Sequence, residues 1–166
     1  MKNKRKDPAK SIEEYILNNS KFNDKCFKDK CKEKGCGLKG ATSKSYLILD
    51  GDEIEKLKSK KKSVDCIIIK NEYNDKKITI LFIELKTGKS KIEDIKEKFE
   101  NSFKTFHEIN QEINLNKFNP EFICIGMKFK TLHERRKKRT TLINTYQDNK
   151  KNFKIKNCGC LINELF

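Results

Sequence analysis

The segment KKITILFIELK, residues 76–86, constrains the fold more than any other stretch. Side chains alternate between the two faces of an extended strand. Ile78, Ile80, Phe82, Glu84 and Lys86 therefore share one side, and Thr79, Leu81, Ile83 and Leu85 share the other. Both sides are apolar as far as Ile83, which predicts a central strand with a packed layer on each face. Glu84 and Lys86 then stand on a face that is core two residues earlier. A charge there is costly unless it is paired, metal-bound or at the wet end of the strand.

The preceding apolar run, SVDCIIIK (63–70), is a second strand, and the connector NEYND has turn chemistry, so the two form a hairpin. Folding one back on the other brings Asp65 to within about one residue of facing Glu84. Two carboxylates and an ammonium then converge at one end of a sheet.

The remaining pattern supplies the rest of an α/β domain. Residues 1–10 read as a basic flexible arm ended near Pro8, and 11–166 as one domain. SIEEYILNN (11–19) predicts a helix capped by Ser11, with Ile12, Tyr15 and Ile16 on one face. Residues 20–44 read as irregular. SYLILD (45–50) predicts a strand, followed by a turn and a short polar helix. Ile92, Ile95, Phe99, Phe103, Phe106 and Ile113 mark one long amphipathic helix, which makes the phenylalanines core rather than a base-stacking ladder. FNPEFICIGMKF (118–129) holds a fourth strand, TLHERRKKRTTLINTY (131–146) a basic helix and NFKIKNCGCLI (152–162) a last strand. A hairpin followed by a helical crossover implies a central mixed sheet of about five strands flanked by helices.

Two carboxylates with open oxygens suit Mg²⁺, which takes one or two protein carboxylates and keeps positions for water and phosphate. A neighbouring lysine can orient the attacking water and offset transition-state charge. Asp65 in SVDCIIIK, with Glu84 and Lys86 in FIELKTGK on the next strand, resembles the PD-(D/E)XK nuclease superfamily. The element order of residues 11–129 resembles that family's αβββαβ restriction-endonuclease-like core, here with a C-terminal helix and strand added. The resemblance implies a Mg²⁺- or Mn²⁺-dependent endonuclease acting on nucleic acid, DNA before RNA. It implies Asp65, Glu84 and the Leu85 carbonyl as metal ligands and Lys86 as the catalytic lysine. Val64 stands where the family's name has proline. The family's first helix often supplies a further Glu; Glu13 and Glu14 both qualify, and Glu13, nearer the buried side, is preferred. Many such enzymes dimerise to cut two strands, although no homodimer interface is legible here.

The competing reading of Glu84 and Lys86 is a strand-rim ion pair, since Glu-x-Lys alone is a common tripeptide. For the chain as a whole, the alternative is a non-catalytic basic nucleic-acid-binding module, with or without a structural Zn²⁺. A third reading is an accessory that acts only within a larger complex. The net charge of +15 favours polyanionic partners. Lys, Asn and Ile are abundant together, however, so compositional bias accounts for part of it. Lys89 and Lys91, just beyond the Glu-x-Lys strand, are the best-placed phosphate contacts, with Arg135, Arg136 and Lys137 of the basic helix behind them.

No run approaches the roughly 20 apolar residues of a membrane span. The basic N-terminus lacks the apolar stretch of a secretory signal. Both point to the cytoplasm, where the seven cysteines would be reduced. Cys26, Cys31 and Cys36, with Cys158 and Cys160, could hold a structural Zn²⁺, although their spacing matches no common knuckle. Cys66 and Cys124 read as small core residues.

Overall fold

A computed structural model describes residues 14–70, 78–88, 91–112, 118–127, 131–137 and 152–166. Its centre is a five-stranded mixed sheet in the order β3-β4-β5-β6-β7. The strands are β3 (Tyr46–Asp50), β4 (Cys66–Lys70), β5 (Ile78–Leu85), β6 (Phe118–Ile125) and β7 (Asn152–Lys156). The β3/β4 and β4/β5 pairs are antiparallel, and β5/β6 and β6/β7 are parallel. The α/β class, the five strands and the central position of residues 78–85 agree with the sequence pattern. The turn at 71–75 lies outside the described residues.

The alternation along β5 sorts the core into two layers. Ile78, Ile80 and Phe82 pack on α3 (Ile92–Ile109) through Ile95, Phe99 and Phe106, with Ile16 of α1 (residues 14–18) and Ile54 of α2 (Gly51–Lys56) beside them. Phe82 stacks on Phe122 with centroids 5.3 Å apart, and Phe99 meets Phe122 edge-on at the same distance. The phenylalanines are core, as their helical spacing predicts. Acids in the first turn of α3, Glu93 and Asp94, suit the positive end of its dipole.

On the other face the sequence reading needs correction. Leu81, Ile83 and Leu85 are covered not by a helix but by a β-hairpin, β1 (Lys30–Glu33) and β2 (Cys36–Thr42), together with a C-terminal 3-10 turn at Ile162–Leu165. Residues 20–44, expected to be irregular, contain this hairpin, joined by Lys34 and Gly35. Its apolar side is Cys31, Cys36, Leu38 and Ala41. Three of those four are small, so an alternating pattern interrupted by Lys and Gly did not register as a strand. The last strand is also shorter than expected, ending at Lys156.

The cysteines require a second correction. Cys31 is disulfide-bonded to Cys66, and Cys36 to Cys158. Four thiols expected to be reduced are therefore paired, and Cys66 is a crosslink as well as a core residue. Cys26, Cys124 and Cys160 are free. Cys26 packs in the helix-side core, away from Cys31 and Cys36 on the hairpin side. The expected Zn²⁺ set is thus divided, and no cluster of three or more His, Cys, Asp or Glu suited to a metal occurs among the described residues. Disulfides form in oxidising surroundings, so these cysteines lend no support to a cytoplasmic placement. Among the described residues no helix is long and apolar enough to cross a membrane.

The disulfides close sequence separations of 35 and 122 residues. Loops of those sizes lose about 4 and about 5 kcal/mol of unfolded-state freedom, respectively, in the chain-entropy account. Cys36→Ser/Cys158→Ser should accordingly lower the unfolding free energy by about 4–5 kcal/mol. Guanidinium titrations with and without reductant check this. A wild type indifferent to reductant would show that the crosslinks do not stabilise the fold.

Candidate active site

Asp65 directly precedes β4, and the register Cys66↔Ile83 carries on to set it across from Glu84. Its place is held from several sides. Its backbone N–H donates to the Ile83 carbonyl at 3.0 Å, and its carbonyl accepts from Gly51 N–H at 3.2 Å. Val64 N–H donates to the Ser102 hydroxyl on α3 at 2.9 Å, and Asn101 donates to the Lys62 carbonyl at 3.0 Å. Gly51 is required by the close approach, because a Cβ there would lie 1.7 Å from the Val64 carbonyl oxygen. At the far side of the site, a Cβ on Gly126 would lie 2.2 Å from the Lys86 carbonyl oxygen, at a φ of 84°. Glycine lets β6 close against the end of β5 there.

Glu84 is fully buried. Its Oε1 accepts from Lys86 Nζ at 2.7 Å and from Lys98 Nζ at 2.6 Å. Its Oε2 is buried without a hydrogen-bond partner. The Asp65 Oδ2 accepts from the Leu85 backbone N–H at 2.6 Å. A residue's N–H and C=O leave an extended strand on the same edge, so the Leu85 carbonyl also faces the Asp65 side. Burial first, and then the charge of Glu84, push the Asp65 carboxyl up to about 7; the Leu85 N–H and Lys98 pull the other way. Lys98 sits above its ordinary range because its hydrogen bond to Glu84 and the field of Glu84 and Asp65 outweigh burial, the largest single influence, which lowers it. Cys124 pairs with Glu84 in register on β6, and burial followed by that carboxylate raises its thiol to about 12.

The structure brings together Asp65, Glu84, Leu85 and Lys86, as the sequence reading expects. It adds Lys98, one helix away. Lys98 lies three residues beyond Ile95 and one before Phe99, and the helical pattern alone does not single it out. Only the packing of α3 on β5 turns it toward Glu84. Lys28 stands nearby, pairing with Asp50 at 3.0 Å and Glu33 at 3.6 Å. Lys91 is exposed at the N-cap position of α3. Arg135, Arg136 and Lys137 are exposed in α4, residues 132–137. Glu13 and Lys89 lie outside the described residues. Glu14, the alternative to Glu13, is exposed.

The strand-rim ion pair of the competing reading is present, Lys86 with Glu84 at 2.7 Å, and further groups gather around it. Two ammonium groups share one buried oxygen while the other oxygen and the Asp65 carboxyl have no cationic partner within ion-pair distance among the described residues. The donor set suits a hard divalent cation: two carboxylates, one with an orphaned oxygen, and a backbone carbonyl on the same edge.

The unfolded Asp65 carboxyl ionises near its ordinary 3.8 and the folded one near about 7. Between those values unfolding releases a proton, so stability falls as pH rises, and above about 7 the loss is complete. Asp65→Asn should therefore match the wild type near about pH 4 and exceed it by about 2 kcal/mol near about pH 8, allowing for the carboxyl's partial solvent access. Urea unfolding at several pH values checks this, and parallel profiles would contradict it.

Comparison of the chain with protein-family models, with curated proteins and with solved structures finds no match.

Proposed function

We propose that the protein is a divalent-metal-dependent nuclease that hydrolyses phosphodiester bonds of nucleic acid, with DNA the favoured substrate. In this reading its sheet is a restriction-endonuclease-like core. The observation that carries the proposal is the buried Glu84 carboxylate: two lysines on one oxygen, nothing on the other, and Asp65 facing it across the hairpin. Burying this many charges costs stability, and a core built for stability alone does better with apolar residues. Strongly shifted groups gathered at one end of a sheet are the usual mark of a working site.

Asp65, Glu84 Oε2 and the Leu85 carbonyl would hold Mg²⁺ or Mn²⁺, which would polarise the phosphate and lower the pKa of a bound water. Lys86, at the end of β5, is the group to hydrogen-bond the attacking water or a phosphate oxygen. Lys98 holds Glu84 from the helix side and shares the task of offsetting negative charge. Asp65 must lose its proton before it can serve as a ligand.

Glu84→Gln and Lys86→Met should each slow cleavage of plasmid or oligonucleotide by roughly a hundredfold or more, and Lys98→Met by roughly tenfold or more. Chelation should abolish it. If the Glu84 and Lys86 variants cut as fast as wild type, the proposal is wrong. Because a proton and the cation compete for Asp65, Mn²⁺ affinity should fall about tenfold per pH unit below about 7 and level off above it. Calorimetric titration at three pH values reads this out independently of activity. An affinity unchanged across the range would remove Asp65 from the ligand set.

The alternative, a basic binding module without catalysis, draws on the lysine-rich hairpin. It predicts steeply salt-dependent binding with neither cleavage nor a Mg²⁺ requirement.

A further inference from the structure

We infer that the outer face of the β1–β2 hairpin is a track for the phosphate backbone of the nucleic-acid strand that leaves the candidate site; this rests on the nuclease reading above. Cys31, Cys36, Leu38 and Ala41 face the sheet, and Lys30, Lys32 and Lys39 face solvent, with Lys34 exposed on the turn. A basic surface is unremarkable in a chain of +15 charge, so the argument rests on how the charges are matched. On the helical side, surface lysines meet acids: Lys56 with Glu53, Lys58 with Glu108, Lys62 with Asp94 and Glu97, and Lys96 with Glu100. On the hairpin the nearby acids make no ion pair with these lysines. Glu33 pairs with Lys28, and Asp29 accepts from the Ser43 hydroxyl at 3.1 Å. Among the described residues Lys30, Lys32, Lys34 and Lys39 have no ion-pair partner.

The row also begins at the site. A Cβ on Gly35, in the turn, would lie 3.4 Å from Thr87 Cγ2, and Thr87 follows Lys86. From there Lys32 and Lys30 lead away along β1 as alternate residues, about 6.6 Å apart in a regular strand, with a shift of register against β2 between them. Successive phosphates of one nucleic-acid strand have a comparable spacing. The track is also held rigid. Cys31 is crosslinked to Cys66, the neighbour of Asp65, and Cys36 to Cys158, whose Sγ lies 3.6 Å from the Lys86 carbonyl oxygen. Lysines on a pre-organised strand lose less freedom on binding than lysines on a loose loop.

The test compares Lys30→Gln/Lys32→Gln/Lys34→Gln with a control of equal charge change on the matched face, Lys56→Gln/Lys58→Gln/Lys96→Gln. Fluorescence anisotropy with a labelled DNA duplex in Ca²⁺ gives affinity across a salt series, and thermal melts verify that both variants fold. The hairpin variant should bind about tenfold or more weakly and lose roughly 2–3 from the slope of log K against log salt, while the control shifts by less than about threefold. Equal losses in the two variants would overturn the track, even if wild type still binds and cuts. A wild type that neither binds nor cuts would overturn the nuclease reading, and the track with it. Binding of poly-glutamate as tight as DNA, lost in the same variant, would assign the face to an acidic protein surface and overturn the proposal.

Discussion

The buried carboxylate of Glu84 is the constraint around which the end of the sheet is arranged. A fully buried anion needs compensation, and two ammonium groups reach it, one from its own strand and one from α3. Lys98 points inward beside Ile95 and Phe99, whose packing in the core sets the rotation of the long helix against β5. The same charge reaches Asp65, just before β4, and Cys124 on β6, adding to the burial that raises both. One side chain thus couples three strands and a helix electrostatically, in a region otherwise held by aliphatic and aromatic contact.

Compensation at Glu84 is deliberately lopsided in its consequences. One oxygen is doubly bonded to lysine and the other has no partner. Asp65 accepts a backbone N–H but gains no direct ion pair. Most buried polar atoms of a folded protein find a partner; among the described residues Glu84 Oε2 lacks one, as do Glu55 Oε2 and Asn110 Oδ1. In the proposed reading, the unsatisfied oxygen and the Asp65 carboxyl are where a divalent cation would bind. Beneath it, the disulfide-tied hairpin forms a second support. Its crosslinks join next to Asp65 and against the Lys86 backbone, so the floor of the site and the lysine-bearing hairpin are one covalent unit.

Much of the scaffold was legible in the sequence because it follows from local periodicity. Alternation over residues 78–86 marked the central strand and both of its faces. The phenylalanine spacing marked α3, and the order of elements gave a mixed sheet. The hairpin of residues 30–42 was not legible, because its buried face is mostly cysteine and alanine, which carry little hydrophobic pattern. Its apolar partner surface lies on strands far along the chain. The disulfides escaped for the same reason: Cys36 and Cys158 are 122 residues apart, and no local signal pairs them.

For the site, the sequence by itself placed Asp65, Glu84 and Lys86 at one strand end to within about one residue of register, and a slip of one would change the face. The observed pairing of Cys66 with Ile83 fixed Asp65 opposite Glu84. Only the tertiary structure decided that Lys98 joins them, since helix rotation depends on how Phe99 and Phe106 seat against Phe82 and Phe122. It also decided that a hairpin rather than a helix covers the second face. Non-local packing and crosslinks settle such matters, and they leave no periodic trace in the chain.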